Sequence, residues 1–306
     1  MKSLELEQIE INDKPVYIFE DHSLAFKAWH KIKQNLGDTP YVISLDHHTD
    51  TRRALNHFSF YNWVNTHNNH SPQDGYYERV LKTYLYSLDT NNEEQIDSFL
   101  LKLKHDEHID AAIKLGIISH SISIQWSEFS GTSSIEEGLW HLNDWKNYIG
   151  KVSSSELQEL MNNRSPYPEP PYNYNLPENK MFIIGYPKCE CPKSPHDEIC
   201  HKNMYDNALE SSFLAKQLEI VNNLQDNLNR SGLQTSGFIL DIDLDYFHTI
   251  NSVSPSDRET FSWLVKNSLA ISIAKESICV DMLKCEGENI DSNYLLKKLL
   301  VLIAEC

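Results

Sequence analysis

Cysteine is scarce in this sequence. Six in 306 residues are too few to staple a disulfide scaffold, and a reducing cytoplasm is the expected compartment. Long apolar runs are missing too, and none approaches the length of a membrane span. The first residues, Met1-Lys2-Ser3-Leu4-Glu5-Leu6-Glu7, are charged and lack the core of a signal peptide. Basic residues fall short of acidic ones, 27 Lys and Arg against 44 Asp and Glu, for a net charge of -17. That deficit argues against nucleic acid or an anionic membrane as partner. It suits attraction of a cationic substrate, and equally it suits plain solubility. No internal repeat is present.

What is there reads as an α/β chain. Apolar residues make up 40% of it, enough for a sizeable core, and 306 residues fit one large α/β domain or two ordinary ones. Strand-like runs at Pro15–Phe19, Tyr41–Ile43, Ile117–Ile124, Met181–Gly185, Gly237–Leu240 and Leu269–Ala274 alternate with helical stretches. The helical stretches centre on Lys27–Gln34, Ala54–Lys104, Glu107–Gly116, Asn207–Asn229, Ser256–Lys266 and Asp291–Ala304. Alternation of this kind predicts a mostly parallel central sheet between two layers of helices. The opening strand, helix and strand predict a neighbouring parallel pair. With no firm boundary in view, a single domain over 1–306 is expected. It is interrupted at about 165–205 by an irregular segment that carries Pro166, Pro168, Pro170, Pro171 and Pro177, then Cys189, Cys191, His196, Cys200 and His201. Those Cys and His residues can be drawn as a zinc site. Their spacing does not fit the usual pairs, and a loop with a few free thiols is the plainer reading.

The chemistry concentrates where strands end. After Tyr41-Val42-Ile43 come Ser44-Leu45-Asp46-His47-His48-Thr49-Asp50. If the run stays extended, Asp46, His48 and Asp50 share one face. A second strand delivers Asp241-Ile242-Asp243-Leu244-Asp245. Ligands of open parallel sheets gather outside the carboxyl ends of strands, so two strands ending in carboxylates predict one shared site. Buried acids are costly unless a cation neutralises them, and Asp/His sets without thiolate suit a hard or borderline ion such as Mn²⁺. His22 and Glu276 stand at two further strand ends. Alone, each would be an ordinary surface residue. His47 is expected to point away from its ligand neighbours. For Asp245 a helix-cap role is at least as expected as one beside the metal.

Asp-x-His-x-Asp after one strand, with Asp-x-Asp after a later one, resembles the ureohydrolases, the arginase and agmatinase family. That family's first metal ligand is a His in Gly-Gly-Asp-His-Ser. Glu20-Asp21-His22-Ser23 stands in that place. The strings Asp241-Ile242-Asp243-Leu244-Asp245-Tyr246-Phe247 and Ile273-Ala274-Lys275-Glu276 resemble most the diverged branch that includes the peptide arginases of ribosomal peptide maturation. The resemblance implies a three-layer arginase-like α/β/α domain and two Mn²⁺ per chain. One ion would take His22, Asp46, Asp50 and Asp241, the other Asp46, His48, Asp241 and Asp243. It implies hydrolysis of an arginine side chain in a peptide to ornithine and urea, with Glu276 holding the guanidinium. It also implies a proton-transferring histidine, for which His57 and His108 are the candidates. Where free-arginine enzymes carry an Asn that grips the substrate's carboxylate, this chain has Arg52, which agrees with an arginine whose backbone lies within a peptide. Other readings stay open: a ureohydrolase of a small guanidino or formimino compound, a single-metal arginase-fold deacetylase, or a non-catalytic metal-binding protein.

Overall fold

The structure, a computed structural model, describes residues 3–67, 72–126, 180–184, 198–230 and 237–306. In chain order its elements begin with β1 (Leu6–Ile11), β2 (Lys14–Phe19), α1 (Ala25–Leu36) and β3 (Tyr41–Asp46). Then come α2 (Asn56–His67), α3 (Tyr76–Val80), α4 (Glu93–Leu100), α5 (His108–Lys114), β4 (Ser121–Gln125) and β5 (Met181–Ile184). The last are α6 (Glu198–Tyr205), α7 (Ser211–Arg230), β6 (Phe238–Asp243), α8 (Glu259–Asn267), β7 (Ala270–Ala274), α9 (Ser277–Leu283) and α10 (Ser292–Ala304). The Pro-rich segment, with Cys189, Cys191 and His196, lies outside the described residues. Cys200 is buried on α6, where His201 follows it.

Seven strands form one sheet in the order β1-β2-β7-β6-β3-β4-β5. All neighbours are parallel except β1, which pairs antiparallel with β2 at the edge. The α/β expectation with a mostly parallel sheet is borne out. The expected adjacency of the first two parallel strands is not, because β7 and β6 lie between β2 and β3. Nor was β1 anticipated. Its signal was the Asn12-Asp13 turn, where both residues adopt positive φ and so suit a tight hairpin. Ile117 and Ile118 are buried but precede β4 instead of belonging to it.

Alternation along each strand sends side chains to two separate cores. Val16, Ile18, Ile43, Leu45, Leu240, Ile242, Ile271 and Ile273 pack on one face with α7, α8 and α10. Tyr17, Phe19, Val42, Ile239, Ala270 and Ala274 pack on the other with α1, α4 and α5. The helices match this periodicity. In α10 Leu295, Leu299, Leu302 and Ile303 are the buried stripe, and Asp291 caps its start by accepting the Tyr294 N–H at 2.7 Å. Strands buried on both faces are apolar throughout, apart from the polar residues that follow.

The sheet order positions the site. From β3 the chain winds one way through β4 and β5. Later it returns to lay β6 and β7 on β3's other side. The carboxyl ends of β3 and β6 therefore meet at a point where the winding reverses, the usual place for a ligand crevice in open α/β sheets. Ser44 pairs with Asp241 and Leu45 with Ile242 across that seam.

Candidate metal centre

Asp241 and Asp243 project from β6 to the side of the sheet that carries α1 and α5, as alternation with Leu240 and Ile242 requires. Asp241 is fully buried, yet well supplied with donors. Ser44 Oγ on β3 donates to its Oδ2 at 3.1 Å, and Ser272 Oγ on β7 donates to its Oδ1. The Trp29 indole of α1 in turn donates to Ser272 at 3.0 Å. Two serines inside otherwise apolar strands are explained by this one carboxylate.

The first motif does not stay extended. β3 ends at Asp46, whose Oδ1 accepts the His48 N–H at 2.6 Å and turns the chain, as aspartates commonly do. Asp50 then adopts φ 48°, in the left-handed region. The shared face predicted for Asp46, His48 and Asp50 is thus replaced by a turn. Asp46 and Asp50 still converge, while the His48 side chain is 41% exposed and faces Asp46 and Asp245.

His22 follows β2, held by a local turn in which Asp21 accepts from Ser23 N at 3.1 Å. Its imidazole is completely buried. Nε2 donates to Asp241 Oδ2 at 2.8 Å. Nδ1 lies 3.0 Å from Asp50 Oδ2, 3.2 Å from Asp243 Oδ2 and 3.6 Å from Asp46 Oδ2, yet makes a well-aligned hydrogen bond to none of them. Carboxylate oxygens from β3, the following turn and β6 crowd round one nitrogen. Asp46, Asp50 and Asp245, with His22 and His48, offer donor atoms within 4.8 Å of one another in overlapping groups of three.

The electrostatics record the crowding. Burial and the neighbouring carboxylates push Asp46 and Asp243 well above the usual carboxylate range. Burial disfavours charge on His22 too, but Asp241, Asp243 and Asp50 outweigh it and raise its pKa well above normal. For Asp241, burial is overcome by His22 and Ser272, and its carboxyl stays below the ordinary value. His48, despite burial, is held at about 9, chiefly by Asp245. So much buried negative charge, answered only by the His22 and His48 imidazoles, fits a site for divalent cations. The donors are oxygens and imidazole nitrogens, the set for Mn²⁺ and similar ions.

Glu276 follows β7 with φ 33°, another left-handed, non-glycine position. The Glu276 N–H donates to the Glu20 carbonyl at 3.0 Å. Its Oε1 accepts the His22 N–H at 3.1 Å, and its Oε2 accepts from His105 Nδ1 and from the Cys279 thiol, each at 3.2 Å. Burial would raise Glu276, but His105 outweighs it and brings the carboxyl to about 2. The same contact lifts His105 to about 10. His105 precedes α5, and its side chain is 42% exposed.

Of the two histidine candidates, His108 is buried against the centre, its ring centroid 4.3 Å from that of His22. Its Nδ1 donates to the His105 carbonyl at 2.6 Å, its Nε2 has no partner, and burial beside His22 lowers it to about 4. His57 belongs to a separate group. Its Nδ1 donates to Glu107 Oε1 at 2.9 Å, while Arg52 bridges His57 Nε2 at 3.3 Å and Asp106 Oδ2 at 2.8 Å. His47 points away from the ligands, as expected. It bonds His248 Nε2 at 3.0 Å, and His248 donates to the Leu283 carbonyl. Asp245 is not the cap expected of it: Asp243 caps the turn over Leu244–Tyr246 by accepting the Asp245 N–H at 3.1 Å. The Asp245 Oδ1 accepts the His47 N–H at 3.2 Å, and its buried Oδ2 lies 3.0 Å from His48 Nδ1. Sequence reasoning did not find His105, Cys279, Ser44 or Ser272. A lone Ser in each of two apolar strands was the one available signal.

No described helix is long and apolar enough to cross a membrane. No family model and no curated protein matches the sequence. Among solved structures, formimidoylglutamase from Bacillus subtilis subsp. subtilis str. 168 is similar at a TM-score of 0.34 and 11% identity, over 94% of this chain and 58% of that one. The chain thus spans less than two thirds of that protein, and the functional reading rests on the residues of the site.

Proposed function

We propose that this protein is a ureohydrolase-like enzyme that hydrolyses the guanidinium of an arginine side chain within a peptide. The products would be ornithine and urea. The observation that carries the reading is the pairing of a cation-demanding carboxylate nest with a separate ionised carboxylate, Glu276, tied to the nest through the His22 N–H. His22, Asp46, Asp50 and Asp241 would hold one divalent ion, and Asp46, His48, Asp241 and Asp243 a second. Two such ions, when bound, lower the pKa of water and supply a nucleophile at neutral pH.

The rest is the work of the chain. Glu276, ionised down to about pH 2, opposes the positive charge of the guanidinium and orients its carbon. Water oxygen becomes the carbonyl oxygen of urea, the bond from that carbon to Nε breaks, and Nε gains a proton. We assign that proton to His105, which shares Glu276 and is half-exposed. His108 then acts as a prop, holding the His105 carbonyl from below. His57, engaged with Glu107, is not needed for the transfer. Arg52 has its guanidinium answered by Asp106 and leaves no Asn-type clamp for a free amino acid, which favours a peptidyl arginine. Convergence of Asp50 and Asp243 on His22, beyond what one ion needs, favours two metals over the single-metal deacetylase chemistry.

The test is incubation of the Mn²⁺-loaded protein with a panel of arginine peptides beside free arginine, agmatine and a formimino compound. A peptide should lose about 42 Da per converted arginine as urea departs. Faster turnover of any small compound would move the assignment to a small-molecule ureohydrolase. No turnover of any with both metals bound would leave a binding protein.

A further inference from the structure

One group beside the centre has no part in the chemistry above. Cys279 lies in the first turn of α9, partly exposed, with its thiol on Glu276 Oε2. A carboxylate oxygen of Asp245, one of Glu276 and the Cys279 sulfur lie within 4.8 Å of one another. Asp245 has a side chain with no solvent exposure, and its Oδ2, 3.0 Å from His48 Nδ1, makes no well-aligned hydrogen bond. Burial and the surrounding carboxylates push the Cys279 thiol upward. The proton therefore stays on sulfur until a cation replaces it.

We infer that Asp245, Glu276 and Cys279 form a third cation site, selective for a thiophilic divalent ion such as Zn²⁺ or Cd²⁺, at the edge of the proposed Mn²⁺ pair. Two carboxylates and a thiolate make a compact three-ligand set. Sulfur is what separates it from the Asp/His nest. Thiolate favours the softer ions, whereas Mn²⁺ prefers oxygen and imidazole. Binding would transfer the thiol proton to water as the metal–sulfur bond forms. It would also occupy Glu276, so a bound ion and a guanidinium compete for one carboxylate. The site is thus inhibitory, and through Asp245 it adjoins His48 and Asp46.

The experiment uses the full chain loaded with Mn²⁺, wild type and Cys279→Ser, titrated with Cd²⁺. Serine can still donate to Glu276 and is close in volume, so folding and Mn²⁺ content should match. Wild type should take up one more Cd²⁺ than the variant while keeping its Mn²⁺. It should also show a thiolate-to-cadmium ultraviolet band that the variant lacks by one thiolate. The variant's affinity at this site should fall at least roughly tenfold. Asp245→Asn should weaken the same band without removing the sulfur. Equal Cd²⁺ uptake and equal bands in wild type and Cys279→Ser would overturn the inference. Neither readout depends on turnover. Inert arginine peptides with the extra band present would therefore sink the proposed function and leave this site standing.

Discussion

Two sets of buried acids in this protein behave in opposite ways. Glu107, fully buried at the start of α5, has a donor for every lone pair that matters. Its Oε1 accepts the His57 N–H at 2.8 Å and His57 Nδ1 at 2.9 Å, and its Oε2 accepts the Lys104 N–H at 3.1 Å. Asp110, one turn on, accepts the Ala54 N–H at 2.8 Å and pairs with Lys114. These carboxylates are complete and hold loops to a helix. In the nest, Asp46, Asp243 and Asp245 each spend one oxygen on a backbone N–H. The remaining oxygens of Asp46 and Asp243, with one from Asp50, turn toward His22 Nδ1. A buried acid with its donors in place is structural. One anchored by half, with the other half turned toward its neighbours, is built to receive a cation.

The comparison breaks most visibly under alanine. Asp46→Ala or Asp241→Ala should remove a shared ligand, cut Mn²⁺ content and reduce turnover at least roughly hundredfold, as read by metal analysis and steady-state kinetics. Retained metal and activity would mean that the nest is not the centre. Glu276→Ala should cost roughly tenfold to hundredfold in turnover of an arginine peptide, with metal content unchanged. Parallel loss of metal would place Glu276 among the ligands. The sharpest contrast is an isosteric pair measured without metal. Glu107→Gln puts an amide where two or more donors already point and should destabilise by about 1–3 kcal/mol. Asp243→Asn relieves repulsion among carboxylates, so the metal-free protein should melt higher while its Mn²⁺-induced rise in melting temperature disappears. Equal signs for the two variants would erase the distinction.

The smallest effect is a pH window. His105 is raised from 6.5 to about 10 and Glu276 lowered from 4.5 to about 2, each chiefly by the other. The raised His contributes fully below 6.5 and is lost as pH climbs through 10. The depressed Glu contributes fully above 4.5 and is lost as pH falls through 2. The melting-temperature difference between wild type and His105→Asn in the metal-free protein should therefore be greatest between pH 4.5 and 6.5 and shrink on either side. With His105 half-exposed, a few degrees is the scale. A flat difference across pH would deny the ion pair.

Much of this was readable before any fold was known. Carboxylates spaced by two after an apolar run mark a strand end, and two such ends imply one crevice, so the meeting of Asp46 and Asp50 with Asp241 and Asp243 followed from local pattern, whereas His22 and Glu276 gained weight only from the other motifs and the family resemblance. Other contacts made by chain segments far apart did not follow from local pattern. His105 reaches Glu276 across 171 positions and precedes its helix in a loop with no periodic signal. Nothing local says that β6 and β7 will insert between β2 and β3, which is what seats Asp241 between Ser44 and Ser272. Even within the first motif, the extended geometry assumed for Asp46, His48 and Asp50 gave way to a turn, because a carboxylate can bond the N–H two residues ahead of it.

Asp50 and Glu276 are both forced into left-handed backbone, a conformation that costs a side-chain-bearing residue about 1–2 kcal/mol. Glycine at either place would sit at ease and discard the carboxylate. Laboratory evolution for heat tolerance alone should therefore drift to glycine at the Asp50 codon, where release of backbone strain comes with relief of carboxylate crowding, and should keep Glu276, whose carboxylate also holds the His22 N–H and the His105 ring.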